Sequence, residues 1–201
     1  DITVNPTPDA IATPSAQTIC NGTATAIALS TNTTGATVNY TWTAALQSGT
    51  VTGFSASSGN SIAQTLTNST NAPAVVRYTI TPAIGTCTGS VITVDITVNP
   101  TPTLSIDDVT LLEANTVASF KVNLSEPAVC DVKFTINTQN NTATAPIDYS
   151  AIISTDYTIP AGATSISINV PIKDDNAIES VETYFVNISN PLFATILDGQ
   201  G

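Results

Sequence analysis

The stretch that decides the fold is DITVNPTP, which stands at residues 95–102 and is repeated without change at residues 1–8. Ile and Val alternate with polar residues in its first half, as in a β-strand with one buried face. The two prolines then end the hydrogen bonding of the strand and favour an extended backbone. The octapeptide therefore predicts a strand that closes a domain and leads into a stiff linker, and its repetition indicates a tandem array of domains.

The spacing of the two copies sets the size of the first domain. It matches the roughly 100 residues of one immunoglobulin-like sandwich. We expect residues 1–8 to be the closing strand and linker of a preceding domain, 9–99 a first β-sandwich, 100–103 a linker and 104–201 a second β-sandwich.

The composition of the 201-residue chain is that of an all-β protein. Hydrophobic residues make up 42% of the chain and charged residues 9%, so it is not a disordered tail. Short alternating runs recur every eight to twelve residues or so, separated by Asn, Gly, Pro and Ser. We therefore predict two tandem immunoglobulin-like β-sandwiches joined by a short Pro-rich linker. The strands predicted in the first domain are 10–19 with a break at Pro14, 24–30, 37–44, 49–54, 61–67, 74–82 and 90–98.

The net charge of −11 is unevenly distributed. The first 100 residues carry three carboxylates and Arg77, whereas the remainder carries twelve carboxylates against Lys121, Lys133 and Lys173. Such a surface repels nucleic acid and anionic lipid, and no apolar run is long enough to span a bilayer. Clustered carboxylates bind hard cations such as Ca²⁺, and a merely solubilising acidic surface is the alternative.

Catalysis is not expected from this inventory. The chain has no histidine for acid–base chemistry, and neither Cys20 nor Cys87 has a base beside it in sequence. Glu179 and Glu182 are three residues apart near a predicted strand start, where their side chains point to different faces. We therefore predict a protein that is not an enzyme.

Trp42 is predicted to fill the core of the first domain. Alternation places Val38, Tyr40 and Trp42 on one face of a strand. A single tryptophan on a central strand is the usual core residue of a sandwich, and sugar stacking is the alternative.

Cys20 and Cys87 each lie beside a turn, and in an exported domain they are a plausible disulfide. One topological argument opposes this pairing. In a seven-strand sandwich the two loops lie at opposite ends, which is too far apart for a disulfide. Either the strand count differs or the thiols are free.

The first domain resembles the PKD-like modules strung along giant surface adhesins of gliding Bacteroidota. The segments that carry this resemblance are TICNG at 18–22, YTW at 40–42, TPAIGTCTGS at 81–90 and VDITVNPTP at 94–102. The resemblance covers residues 9–102 and implies a disulfide between Cys20 and Cys87. Modules of this kind are spacers and adhesin repeats without catalytic residues.

The second domain resembles the Calx-β module over residues 103–201. The segments that carry the resemblance are Glu113 after the first strand, TA at 142–143 with DY at 148–149, PAG at 160–162, DD at 174–175 with two glutamates after it, and NIS at 187–189. The resemblance implies a seven-strand sandwich, and some family members bind Ca²⁺ in loops at one end. The residues at the ligand positions of those members are Glu113, Asp174, Asp175 and Glu179.

Two departures from the Calx-β pattern weaken the implied calcium site. Asn140 stands where the family has an aspartate, so a charged ligand becomes a neutral amide. The usual Asp-rich closing strand is missing from the sequence, so we expect the second sandwich to lack its last strand. Partial calcium binding and a solvated acidic loop both remain open.

These observations predict a non-catalytic repeat segment of a large secreted adhesin at the cell surface, with calcium stiffening the second domain. Gliding motility and type IX secretion are part of this expectation. The expected partners are neighbouring domains of the same long chain, a surface or glycan ligand, and a secretion or motility machinery. The alternative is a self-assembling filament subunit that exchanges donor strands, since unpaired sheet edges invite strand addition.

Overall fold

The computed structural model describes residues 6–112, 114–174 and 180–201, and the chain divides into two compact units, Asp1–Pro100 and Thr101–Gly201. Within those described ranges the regular elements are all strands, and no helix long and apolar enough to cross a membrane is found. The predicted all-β class is therefore confirmed. The predicted boundaries at 1–8 and 100–103 stay predictions.

The first unit is built from eleven described strands in two principal sheets. The sheets have the orders β1-β3-β7 and β2-β11-β9-β4-β6, with β10 added to β9, and β5 pairs with β8 beside them. The strands are β1 (Ile11–Thr13), β2 (Ala16–Ile19), β3 (Ile27–Ser30), β4 (Asn39–Ser48), β5 (Val51–Thr52), β6 (Ser57–Ser58), β7 (Ser61–Ile62), β8 (Thr67–Asn68), β9 (Ala74–Ile84), β10 (Cys87–Thr88) and β11 (Ile92–Val98).

The chain changes sheets at Pro14. β1 pairs with β3 in one sheet, and β2 pairs in parallel with β11 in the other. Proline has no N–H to donate, so it ends a ladder at the point where the backbone crosses over. The predicted break at Pro14 is confirmed.

The octapeptide begins inside a central strand. β11 lies between β2 and β9, with Val98 opposite both Ile19 and Ala74. Asp95 stands opposite Arg77 on β9, and the two side chains form a bidentate ion pair with both N–O distances at 2.7 Å. The pair is about 40% exposed, so it contributes little to stability.

The predicted disulfide between Cys20 and Cys87 is wrong, because Cys87 is a free and exposed thiol. The sheet register explains this result. Ile19 lies at the Ala74 end of β9 through its pairing with Val98, whereas Cys87 pairs with Ile84 at the other end. Ten residues of extended strand separate these ends by about 33 Å, far beyond the reach of a disulfide.

Inward-facing residues of both principal sheets form one hydrophobic core in the first unit. Ile27, Ile62, Tyr78 and Ile80 are almost completely buried. Trp42 packs in this core with a relative exposure of 5%, so its predicted core role is confirmed. A tryptophan buried to this extent has no free face on which a sugar can stack.

Asp9 holds the segment that directly follows β3. Its carboxylate accepts hydrogen bonds from the hydroxyl groups of Thr31 and Thr33, and from the backbone N–H groups of Asn32 and Thr33 at 3.1 and 3.0 Å. These donors favour the charged form, with the Thr31 hydroxyl contributing most, and hold the pKa of Asp9 well below its ordinary value.

Replacement of this carboxylate by Asp9→Asn is expected to flatten the acid side of the stability profile. Because the pKa of Asp9 is lower in the folded state, the carboxylate stabilises the fold above its unfolded pKa of about 3.9, and this stabilisation is lost as the pH falls toward the native pKa. Melting temperatures can be read from Trp42, the single tryptophan, between about pH 6 and pH 2. The Asp108→Asn variant is the control, and parallel curves for wild type and Asp9→Asn would contradict the prediction.

The second unit is a β-sandwich of seven described strands. One sheet has the order β16-β13-β12-β18 and the other β15-β14-β17. The strands are β12 (Thr103–Ile106), β13 (Val117–Leu124), β14 (Val132–Asn140), β15 (Thr155–Ile159), β16 (Ser165–Pro171), β17 (Tyr184–Leu192) and β18 (Thr195–Ile196). Phe120, Phe134, Ile168 and Val186 are among the buried residues that both sheets contribute to the core.

Residues 199–201 occupy the free edge of β17. The N–H of Val186 donates to the carbonyl of Gly201 at 2.8 Å, and the N–H of Gly201 donates back at 3.0 Å. Ile188 donates in the same way to Gly199 at 2.8 Å. A donor strand from a second chain would need these same backbone groups on β17.

Candidate functional site

Three strand ends of the second unit meet where the sequence predicts its calcium loops. We call this region the loop end, and its described residues are 140–149, 171–174 and 180–184. Asn140, the last residue of β14, stands opposite Tyr184, the first residue of β17. Tyr149 forms an isolated antiparallel bridge with Ile172, directly after β16.

Asn140 closes the loop that follows β14. Its Oδ1 atom accepts hydrogen bonds from the N–H of Ala145 at 3.0 Å and from the hydroxyl of Tyr149 at 2.5 Å. The neutral amide therefore serves as an internal acceptor. An oxygen with two protein donors offers little further capacity to a cation.

Asp148 has a similar internal role. Its Oδ2 atom accepts from the backbone N–H of Thr144 at 2.6 Å, and its own N–H donates to the carbonyl of Thr144 at 3.0 Å. Asp residues commonly stabilise turns in this manner. The carboxylate of Asp148 thus holds the start of its own turn.

Lys173 ties the same loop to the end of β16. Its ammonium group donates to the carbonyl of Pro146 at 2.5 Å, and its backbone N–H donates to the carbonyl of Asp148 at 2.9 Å. A carbonyl in contact with an ammonium group is already paired with a positive charge. No pattern in the sequence predicts this contact, because lysines at strand ends are usually solvated.

Two stacked tyrosine rings lie beneath the loop end. The centroids of Tyr149 and Tyr184 are 4.1 Å apart with an interplanar angle of 15°, and Phe120 meets Tyr184 edge-on at 6.0 Å. Burial, with a smaller contribution from Tyr149, raises the pKa of Tyr184 to about 12. The Tyr184 hydroxyl is buried without a hydrogen-bond partner among the described residues.

Of the four predicted calcium ligands, only Asp174 lies within the described residues, immediately after Lys173. Glu113, Asp175 and Glu179 lie outside them. Among the residues that are described, no group of three or more His, Cys, Asp or Glu side chains could hold a metal ion. The described oxygens of the loop end therefore do not by themselves fit calcium.

Sequence comparison assigns both units. The family model of the PKD-like domain matches residues 17–102, and that of the Calx-beta domain matches residues 95–197. The fold and the loop end thus define a tandem β-sandwich protein of two modules. The chain belongs to the Calx-beta domain family, with a PKD-like domain ahead of its Calx-beta domain. No curated protein matches the chain.

Solved structures of Calx domains are similar to the chain at low identity. The apo-form Calx CBD1 domain has 16% identity and a TM-score of 0.47, covering 50% of this chain and 91% of that chain. The CBD12 structure from CALX1.2 has 16% identity and a TM-score of 0.41, and the match covers 90% of this chain and 80% of that chain. The calcium binding domain CBD12 of CALX1.1 has 14% identity and a TM-score of 0.40, and the match covers 91% of this chain and 80% of that chain.

The families also narrow the functional class. PKD-like and Calx-beta domains are non-catalytic binding or structural modules, and they are typical of extracellular proteins. Donor-strand exchange, the alternative expectation, receives no support from the comparisons. The edge of β17 that a donor strand would use is taken by residues 199–201 of the same chain.

Proposed function

We propose that the chain is a non-catalytic repeat segment of a large adhesin at the cell surface. The observation that supports this most directly is the presence of two module types on one chain, each with its own hydrophobic core. Separate cores allow each module to fold as a unit in a long array. The unchanged repetition of DITVNPTP adds a sequence signal for such an array.

In this proposal the segment is a spacer in a long chain and also contributes weak binding contacts of its own. Sandwiches in series extend a binding surface away from the cell, and many weak contacts along an array give strong attachment through avidity. Its partners are neighbouring domains of the same chain, a surface or glycan ligand, and a secretion or motility machinery. Gliding motility and type IX secretion belong to the same proposal.

The test is made on cells that produce the protein. Antibodies against residues 1–201 should label intact cells, and an in-frame deletion of the segment should reduce attachment to glass and colony spreading. A deletion of a cytoplasmic domain of similar size in another protein serves as the control. Labelling only after permeabilisation would contradict a surface location, and unchanged attachment would contradict adhesion.

Calcium binding is the second part of the proposal. The ligand set is Glu113, Asp174, Asp175 and Glu179, which the Calx-beta resemblance and the acidic second half of the sequence support. Carboxylates clustered on neighbouring loops repel one another until a divalent cation neutralises them. Bound calcium would then stiffen the second domain.

Calcium titration of the full chain tests this part. Isothermal titration calorimetry should show binding heat, and free calcium at about 100 times the Kd should stabilise the second unit by about 2.7 kcal/mol. The combined variant Glu113→Gln, Asp175→Asn and Glu179→Gln should lose both effects. An absence of heat together with an unchanged melting temperature in chelator would contradict calcium binding.

A further inference from the structure

The loop at residues 144–149 and the adjoining Ser150 form three hydrogen bonds with the end of β16 and with Lys173 just after it. Two are backbone bonds of 2.9 Å, from Ser150 to the carbonyl of Pro171 and from Lys173 to the carbonyl of Asp148. The third runs from the Lys173 ammonium group to the carbonyl of Pro146 at 2.5 Å. Only this third bond comes from a side chain, and only it brings a positive charge to the loop.

Two side-chain oxygens around this loop already have protein donors. Asn140 Oδ1 accepts from Ala145 and Tyr149, and Asp148 Oδ2 accepts from Thr144. A divalent cation would have to displace these donors, because calcium needs six to eight oxygens in its coordination sphere. The hydrogen bonds to these two oxygens therefore come from the protein itself.

We propose that Lys173 is the built-in cation of the loop end and keeps residues 144–149 closed without a divalent metal. A lysine ammonium is a compact charge with three donors, which suits it to draw in a backbone carbonyl. Two acidic residues adjoin it: Asp148, whose carbonyl accepts from the Lys173 backbone N–H, and Asp174, the next residue in the sequence.

The inference rests on the proposed function only in that calcium is proposed to bind at this end of the second unit. The role of Lys173 can be measured in chelator alone, where calcium plays no part. A failure of calcium binding and a failure of the lysine closure are therefore separate results.

Amide hydrogen exchange of the full chain tests the proposal. The probes are the N–H groups of Ile147, Asp148, Ser150 and Lys173, each hydrogen-bonded within this loop or to the end of β16. In chelator, Lys173→Met should speed their exchange by about 2- to 5-fold, the range expected for an exposed charge-assisted contact. Lys173→Arg should restore most of the protection, because arginine keeps the charge and the donors.

A matched control is Lys133→Met, which removes a lysine charge from β14 away from the loop end and should leave the four probes unchanged. In the wild type, the four probes should already be protected from exchange in chelator, before any calcium is added. Unchanged exchange in Lys173→Met would overturn the proposal, and so would wild-type protection that appears only with calcium.

Discussion

Trp42→Ala is expected to lower the free energy of unfolding of the first unit by about 3–5 kcal/mol, the usual cost of truncating a buried aromatic residue. Trp42 lies in the hydrophobic core with a relative exposure of 5%, and it stands on β4 opposite Ile80 of β9. Its removal leaves a cavity between the two principal sheets, which the packed surroundings can fill only in part.

The loss of stability can be measured by hydrogen exchange along a guanidinium series, read on peptides from β9. Trp42→Phe is the matched control and should cost much less. The Trp42 indole N–H is buried without a partner among the described residues, so phenylalanine also removes an unsatisfied donor. A change below about 1 kcal/mol for Trp42→Ala would contradict the core role, since surface substitutions fall within about 0.5 kcal/mol.

The strands of the first unit were predictable because their alternation matches their burial. β9 was predicted at 74–82 and is found at Ala74–Ile84, with Val76, Tyr78 and Ile80 all at 0% exposure. Hydrophobic periodicity is a local property of the sequence, so strands with one buried face can be read directly.

The strand predicted at 49–54 is longer than the strand that the structure contains. Only Val51–Thr52 forms a strand there, between Gly49 and Gly53 with φ of +71° and +95°. A Cβ at Gly53 would lie 2.0 Å from the carbonyl oxygen of Thr65, so this close approach requires glycine. The alternating pattern predicts the strand at the valine. It does not predict the contact between Gly53 and Thr65, because Thr65 lies twelve residues further along the chain.

The cysteine pairing could not be decided by resemblance, because disulfides depend on three-dimensional distance. The topological argument against Cys20–Cys87 was the correct one, since the register places the two residues at opposite ends of β9. The position of a cysteine beside a turn says nothing about which end of the sheet that turn occupies.

The loop end was located by sequence, but its internal bonding was not. The sequence identified Asn140 as a neutral substitute at a ligand position, and the structure gives this amide two internal donors. The contact between Lys173 and Pro146 joins residues 27 positions apart. No short motif predicts it, because it exists only once β14 and β16 have brought their ends together.

The second large effect is expected at the loop end, where Tyr149→Ala should lower the free energy of unfolding of the second unit by about 3–5 kcal/mol. Tyr149 has a relative exposure of 1%, stacks on Tyr184 and donates its hydroxyl proton to Asn140. The substitution removes a buried ring and its stacking contact with Tyr184, and it also leaves Asn140 with one donor fewer.

Tyr149→Phe separates the ring from the hydroxyl, and it should cost about 0.5–1.5 kcal/mol, the net contribution of one hydrogen bond. Ile153→Ala, at a side chain that is 83% exposed, is the control for truncation near the same loop. Chemical denaturation followed by far-UV circular dichroism reports the strands of both units. Trp42 fluorescence should give an unchanged midpoint for the first unit, so the shifted transition is assigned to the second. If Tyr149→Ala costs no more than Tyr149→Phe, the stacked ring does not contribute to stability, and the prediction is wrong.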